Sequence, residues 1–242
     1  MRKTLFGLAG AAAFSLLAGI PAIAADLVYK APHDVMTWTG CYVGGNVGWA
    51  ASWQENRNTA NTTAFGDFTP GQGFNYPISG FIGGGQVGCN YQTGRWVWGI
   101  EGSYSGASIK GDSVSVFGAA DDNFTTKIDG IATVTGRVGM AFGQWLVYSK
   151  AGWAGARVTF SVSDTVAPVG AGTQTVWHNG ITVGSGIEYA WTKHWIVGFE
   201  SNYYRFESKT YEIGGGPAAG LYTWTSRPRD VFSALGRLSY KW

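Results

Sequence analysis

An all-β fold, an eight-stranded antiparallel up-and-down barrel, is what this chain predicts, on three observations. After Thr39, segments of roughly ten residues alternate large apolar side chains with small or polar ones at period two, the pattern of strands with two different faces. The connections alternate in length, with short turns near residues 93–95, 143–144 and 192–194 and long loops at roughly 52–79, 107–124, 160–178 and 207–229. Even strand number with short turns at one end and long loops at the other is the layout of an outer-membrane barrel, whose turns are periplasmic and whose four long loops are extracellular. In the third to eighth segments the ionisable groups lie on the face away from the large apolar side chains. A soluble barrel has the reverse, apolar inside and charged outside. The apolar face therefore meets lipid, and the barrel is transmembrane.

Composition agrees and excludes other classes. Charged residues make up 13% of the chain, against about 25% in an ordinary soluble domain. Aromatic residues reach 15%, which excludes disorder, and the 38 glycines have no period of three, which excludes collagen. No basic patch suits nucleic acid. No segment after residue 24 holds 18 consecutive apolar residues, so spanning helices are not expected.

The elements follow in order. Arg2 and Lys3 precede the apolar run Leu5 to Leu17, Pro21 ends it, and Ala22-Ile23-Ala24 is a small-x-small cleavage pattern. Residues 1–24 read as a secretory signal peptide cut between Ala24 and Ala25, leaving an outer-membrane barrel domain over 25–242 with a periplasmic tail over 25–37. Losing Arg2 and Lys3 brings the formal net charge of +2 to zero. The first strand, about Thr39 to Ala51, puts Cys41, Val43, Val47 and Trp49 on the lipid face and Tyr42, Gly44, Asn46 and Gly48 on the other. The second, about Gly80 to Gln92, sets Phe81, Val87, Cys89 and Tyr91 against Gln86 and Asn90. The third sets Trp96, Trp98, Ile100 and Tyr104 against Glu101, Ser103 and Ser105. The fourth sets Ile128, Ala132, Val134, Val138 and Met140 against Lys127, Asp129, Thr133, Thr135 and Arg137. The fifth sets Trp145, Val147, Ala151 and Trp153 against Tyr148 and Lys150; the sixth sets Ile181, Val183, Ile187 and Tyr189 against Thr182 and Glu188. The seventh sets Trp195, Val197, Phe199 and Tyr203 against Glu200, Asn202 and Tyr204. The eighth sets Phe232, Leu238, Tyr240 and Trp242 against Ser233, Arg237, Ser239 and Lys241.

Tryptophans mark both interfaces. Trp38, Trp96, Trp145, Trp195 and Trp242 lie at the short-turn ends; Trp49, Trp53, Trp153 and Trp177 lie near the long-loop ends. An indole has an apolar body and an N–H to hydrate, so two such girdles suit the two membrane surfaces.

Several motifs together resemble one family. They are Ala25-Asp26-Leu27 with Tyr29-Lys30-Ala31-Pro32, then Trp38-Thr39-Gly40-Cys41-Tyr42-Val43-Gly44-Gly45-Asn46-Val47-Gly48, and Gly83-Gly84-Gly85-Gln86-Val87-Gly88. Thr135-Gly136-Arg137-Val138-Gly139, Val183-Gly184-Ser185-Gly186-Ile187-Glu188-Tyr189 and the ending Leu238-Ser239-Tyr240-Lys241-Trp242 complete the set. The chain resembles the alphaproteobacterial outer-membrane immunogenic or porin-family proteins, which are similar to the OmpA transmembrane barrel without OmpA's peptidoglycan-binding domain. The resemblance implies location in the cell outer membrane, with lipid, lipopolysaccharide and the barrel-assembly machinery as partners and host or phage contacts through the loops. Cysteines at 41 and 89 stand where the family usually has aromatics, and the last residue is Trp rather than Phe. By resemblance to outer-membrane barrels generally, Leu238, Tyr240 and Trp242 form the assembly signal.

The sequence offers no catalytic constellation, cofactor motif or metal site. His33, His178 and His194 are scattered, the last two reading as a solvated rim residue and a turn residue, and no Cys pair has the spacing of a zinc or redox site. Gly83-Gly84-Gly85 and Gly214-Gly215-Gly216 lie between no strand and helix, and the second belongs to an external loop. The inward charges say more. Glu101, Asp129, Glu188 and Glu200 share the lumen face with Lys127, Arg137, Lys150 and Arg237. An eight-stranded barrel is just wide enough for side chains to fill it, so these charges must pair. They read either as a neutral network plugging the barrel or as a gated ion path. The expected function is a structural barrel serving envelope integrity and surface contact, the alternatives being a small pore or, more remotely, a lipid-modifying enzyme. Cys41 and Cys89 suit a disulfide in an oxidising compartment, with a register in which paired residue numbers sum to 130; the alternative is two free thiols facing lipid.

Overall fold

The computed structural model describes residues 36–61, 71, 73–114, 122–164, 172–213 and 222–242. The signal peptide with Ala24 and Ala25, His33, and Gly214-Gly215-Gly216 lie outside these described residues. Nine strands form among the described residues: β1 (Gly40–Asn61), β2 (Gly73–Thr93), β3 (Trp96–Val114), β4 (Asp122–Phe142), β5 (Trp145–Asp164), β6 (Gly172–Ala190), β7 (Trp195–Phe206), β8 (Lys209–Ile213) and β9 (Tyr222–Lys241). Each pairs antiparallel with its neighbours, and β9 pairs back onto β1, closing the ring. β7 and β8 both pair with β9 and share one position in the ring, separated at Glu207-Ser208. The barrel therefore has eight staves. Gly94 and Gly143, in the two-residue turns after β2 and β4, have φ of +61° and +63°, the left-handed conformation that tight hairpin turns require.

β1 and β2 run in the register that sets Cys41 opposite Cys89, Val43 opposite Val87 and Trp49 opposite Phe81, every pair numbering to 130. The lipid face carries the expected side chains, with Val47, Phe81, Ile100, Val134, Ile181 and Phe232 all exposed.

The strands run further than the alternation suggested. Most of the expected long loops is strand: β1 continues to Asn61, β2 starts at Gly73, β5 reaches Asp164 and β6 starts at Gly172. In this outer extension the chemistry of the faces is reversed. On β5, Val158, Phe160 and Val162 point inward while Arg157, Thr159, Ser161 and Ser163 point out. Searching for apolar-out alternation misses these turns of strand, because above the membrane the outward face meets water.

Two β-bulges sit at the change of region. Ile128 pairs with Val158 and Gly130 with Arg157, so Asp129 is the extra residue of β4 against β5. On the other side it is the single residue facing Ala107 and Ser108, between the pairs Gly106–Gly130 and Ile109–Ile128. The second lies in β9, where the pairing with β1 shifts between Phe232 and Arg229 and Asp230 has φ of +51°. Each bulge swaps which residues face inward. On β4 the inward set passes from Thr133, Thr135 and Arg137 to Phe124, Thr126 and Ile128. This corrects the placement of Lys127, Asp129 and Ile128: Lys127 and Asp129 point outward and pair with each other at 2.7 Å, and Ile128 is buried inside.

The interior is layered. At the periplasmic end Trp38, Val97, Ala141, Leu146 and Ile196 pack together, with Trp38 fully buried and its backbone N–H donating to Gln92 Oε1 at 2.7 Å. Trp38 thus closes the mouth and is not a girdle residue, as the strand-end pattern had placed it. Above the charged middle lie an aliphatic cluster containing Ile78, Ile109, Ile128 and Val158, and an aromatic one containing Phe124, Phe160, Tyr211 and Trp224.

The closed polar core

Each charged side chain of the middle layer comes from a different stave, delivered inward by period-two alternation. β3 supplies Glu101, β4 Arg137, β5 Lys150, β6 Glu188, β7 Glu200 and β9 Arg237, and every one is buried. Arg137 reaches Glu188 at 2.8 Å and Glu101 at 3.4 Å; Lys150 bridges Glu200 at 2.7 Å and Glu101 at 3.1 Å. Arg237 contacts Glu101 and Glu200 directly and lies 3.8 Å from Glu188. Three cations thus meet three carboxylates, with no formal charge left over. Six of the eight residues expected in the network are in it; Lys127 and Asp129 are the two the β4 bulge turns away.

Two tyrosines belong to the same network, and charge arithmetic did not single them out. Tyr42 OH donates to Glu101 at 2.7 Å and Tyr148 OH donates to Glu200 at 2.6 Å. Each accepts in turn, Tyr42 from Arg137 at 2.7 Å and Tyr148 from Arg237 at 3.0 Å. The Arg137 guanidinium also lies 3.8 Å from the centre of the Tyr148 ring. Both rings need a glycine beneath them. A Cβ at Gly88, the register partner of Tyr42, would sit 2.5 Å from its hydroxyl, and one at Gly186, the partner of Tyr148, likewise 2.5 Å. An inward tyrosine directly opposite an inward glycine is the sequence signal for them.

A polar collar surrounds the ions. Asn46 donates to Gln86 at 2.7 Å, Ser105 donates to Asn46 at 2.9 Å, and Asn202 donates to Glu200 at 2.9 Å. The space left beside Glu101, Lys150, Glu200 and Arg237 is a cavity of about 10 Å³, room for one water at most.

The remaining expected residues are elsewhere. Cys41 and Cys89 lie on the outward face near the periplasmic end, their Sγ atoms bonded at 2.05 Å and their Cα atoms 3.9 Å apart. Leu238, Tyr240 and Trp242 all point outward on or just after β9. His194 lies in the turn before β7, its Nδ1 2.9 Å from the Lys241 carbonyl. His178 departs from expectation: it is fully buried inside the outer extension and not solvated. Its Nδ1 is 2.8 Å from the Glu207 carbonyl, which can only accept, so Nδ1 carries the proton and Nε2 accepts from Tyr211 OH at 2.7 Å. Burial raises the Tyr211 hydroxyl above its ordinary pKa and keeps it protonated. No group of three His, Cys, Asp or Glu placed to hold a metal occurs among the described residues.

A closed ring of antiparallel strands, apolar outside and ionic within, defines a membrane-spanning β-barrel with a filled interior. The chain belongs to the outer membrane protein beta-barrel domain family, which matches it over residues 10–223. It is 28% identical to a 31 kDa outer-membrane immunogenic protein of Brucella melitensis over 75% of this chain and 80% of that one. It is 30% identical to a 22 kDa outer membrane protein of Rhizobium leguminosarum, over 74% of this chain and 70% of that one. Among solved structures it is similar in fold to OprG of Pseudomonas aeruginosa, with TM-score 0.52, 11% identity and coverage of 86% and 99%. It is similar also to the outer membrane protease OmpT of Escherichia coli, with TM-score 0.50, 8% identity and coverage of 88% and 100%. The protein is an outer-membrane β-barrel.

Proposed function

We propose that this barrel is a structural, non-enzymatic element of the outer membrane, closed to ions, which holds a rigid extension above the bilayer for surface contact. The observation that carries the reading is the filled middle layer, where six paired ions and two tyrosines leave a cavity of about 10 Å³. Apolar layers above and below add a second barrier, since a hydrated ion would have to shed water against Ile109, Ile128 and Val158 on one side and Trp38 and Leu146 on the other. The two ring nitrogens of His178 are both engaged, which supports a packing role rather than work as a general base. The test is single-channel recording of refolded protein in a planar bilayer. A baseline without discrete steps is the expected result, and reproducible unitary conductance would overturn the proposal.

A further inference from the structure

The outward face holds a feature that the closed interior does not use. Where β7 ends and β9 bulges, Arg205, Arg227, Arg229 and Asp230 surround a polar pocket of about 240 Å³ with Tyr203 as one wall. The pocket lies at the outer membrane surface: Arg229 is the register partner of Trp53, and Arg205 is the partner of Ile181, itself paired with Trp153. Arg227 pairs with Glu55 at 2.8 Å and Arg229 with Asp230 at 3.3 Å. Arg205 has no carboxylate within 4.0 Å among the described residues, so the cluster keeps one uncompensated positive charge.

Directly below lies a second concavity. Tyr203, whose hydroxyl donates to Asp230 at 2.6 Å and whose ring packs on Phe232 at 5.0 Å, also lines a lipid-facing groove of about 860 Å³. Small side chains make the groove: Ser201 pairs with Ser185 and Ser185 with Ser149, descending obliquely from the outer surface into the hydrocarbon layer. A cationic pocket at headgroup depth that shares a wall with a trough at acyl-chain depth has the shape of an anionic amphiphile. Guanidinium forks match phosphate oxygens two at a time, and an acyl chain fills a trough that bulkier side chains would have closed.

We propose that this face binds a phosphorylated glycolipid of the outer leaflet, with its phosphate on Arg205 and Arg229 and one acyl chain in the groove below Tyr203. The test uses the full-length barrel refolded in detergent and measures retention of lipid A by native mass spectrometry and competition binding. Losing a charged hydrogen-bond donor should weaken binding about tenfold or more. That loss is expected in Arg205→Ala/Arg229→Ala and, in the unsubstituted protein, with dephosphorylated lipid A. Arg157→Ala, at the same depth beside Trp177, should bind as the unsubstituted protein does. Arg205→Glu, which breaks no ion pair, repeats the test without burdening the fold. Binding indifferent to these arginines or to the phosphate would overturn the proposal. So would equal affinity for phosphatidylglycerol, which lacks the sugar, or for inorganic phosphate, which lacks the chain.

Discussion

The membrane ring and the outer extension are built from the same strands, yet they obey opposite rules. On β5, Val147, Ala151 and Trp153 face outward and Lys150 inward; ten residues higher, Thr159 and Ser161 face outward and Phe160 inward. The ring has lipid outside, so it needs no hydrophobic effect to hold its core and puts ions there. The extension has water outside, so it builds its inside as soluble proteins do, by burying Phe124, Phe160 and Trp224. The bulges at Asp129 and Asp230 lie where the two rules meet, at the depth of the outer tryptophans. The lesson is that alternation is a statement about two solvents, and a strand crossing from one to the other changes its pattern without ending.

The comparison can be broken first in the ring's ionic core. Arg137→Ala takes from Glu188 its 2.8 Å partner and from Glu101 one of three cations, and removing one partner of a buried pair costs about 3–5 kcal/mol. Urea unfolding of the refolded barrel checks it, and an unchanged midpoint would mean that the ions do not hold the ring together. Next comes the disulfide. Closing a loop of sequence separation 48 contributes at most about 4 kcal/mol in the chain-entropy model. Cys41→Ser/Cys89→Ser should unfold earlier by up to that amount, and thiol titration of unreduced, denatured protein should find no free sulfhydryl.

The sharpest contrast uses one substitution in two places on β6. Val183 faces lipid six residues from both Trp177 and Tyr189, near the midplane, and arginine there should cost about 2–4 kcal/mol. Thr173 faces outward four residues beyond Trp177, and arginine there should change stability by less than about 0.5 kcal/mol. Equal costs would erase the distinction between the regions. A smaller effect, about 1–3 kcal/mol, is expected for Gly186→Ala, which drives a methyl into the Tyr148 hydroxyl. Its readout is the melting temperature, with Gly136→Ala, where a Cβ meets nothing within 4 Å, as the control.

Much of the polar core could be read from residue order alone. Glu101, Arg137, Lys150, Glu188, Glu200 and Arg237 each alternate with large apolar neighbours that lipid must cover, so their inward direction follows from period two. Lys127 and Asp129 follow the same local pattern and still point outward, because one inserted residue shifts every side chain beyond it and nothing in the residue types announces the insertion. His178 and Trp38 failed for another reason. His178 has the inward parity of Thr182 and Glu188, but residues 160–178 read as loop while β6 begins at Gly172. Trp38 precedes β1, where no alternation says whether a side chain turns into the lumen or away from it.

Residue order by itself determined the number of staves, their antiparallel succession and most of the lipid-facing set, because each depends on local periodicity. It reached the β1–β2 register only by way of a Cys41–Cys89 pair, the one covalent link between those strands. Only the tertiary structure decided which charges meet, where the bulges fall, that Trp38 closes the mouth, and that Arg205, Arg227 and Arg229 gather at one rim. Those outcomes depend on distances across the barrel and between β1, β7 and β9. Arg237 and Glu101 are brought together by ring closure across a sequence separation of 136 residues, a distance over which one-dimensional pattern carries no information.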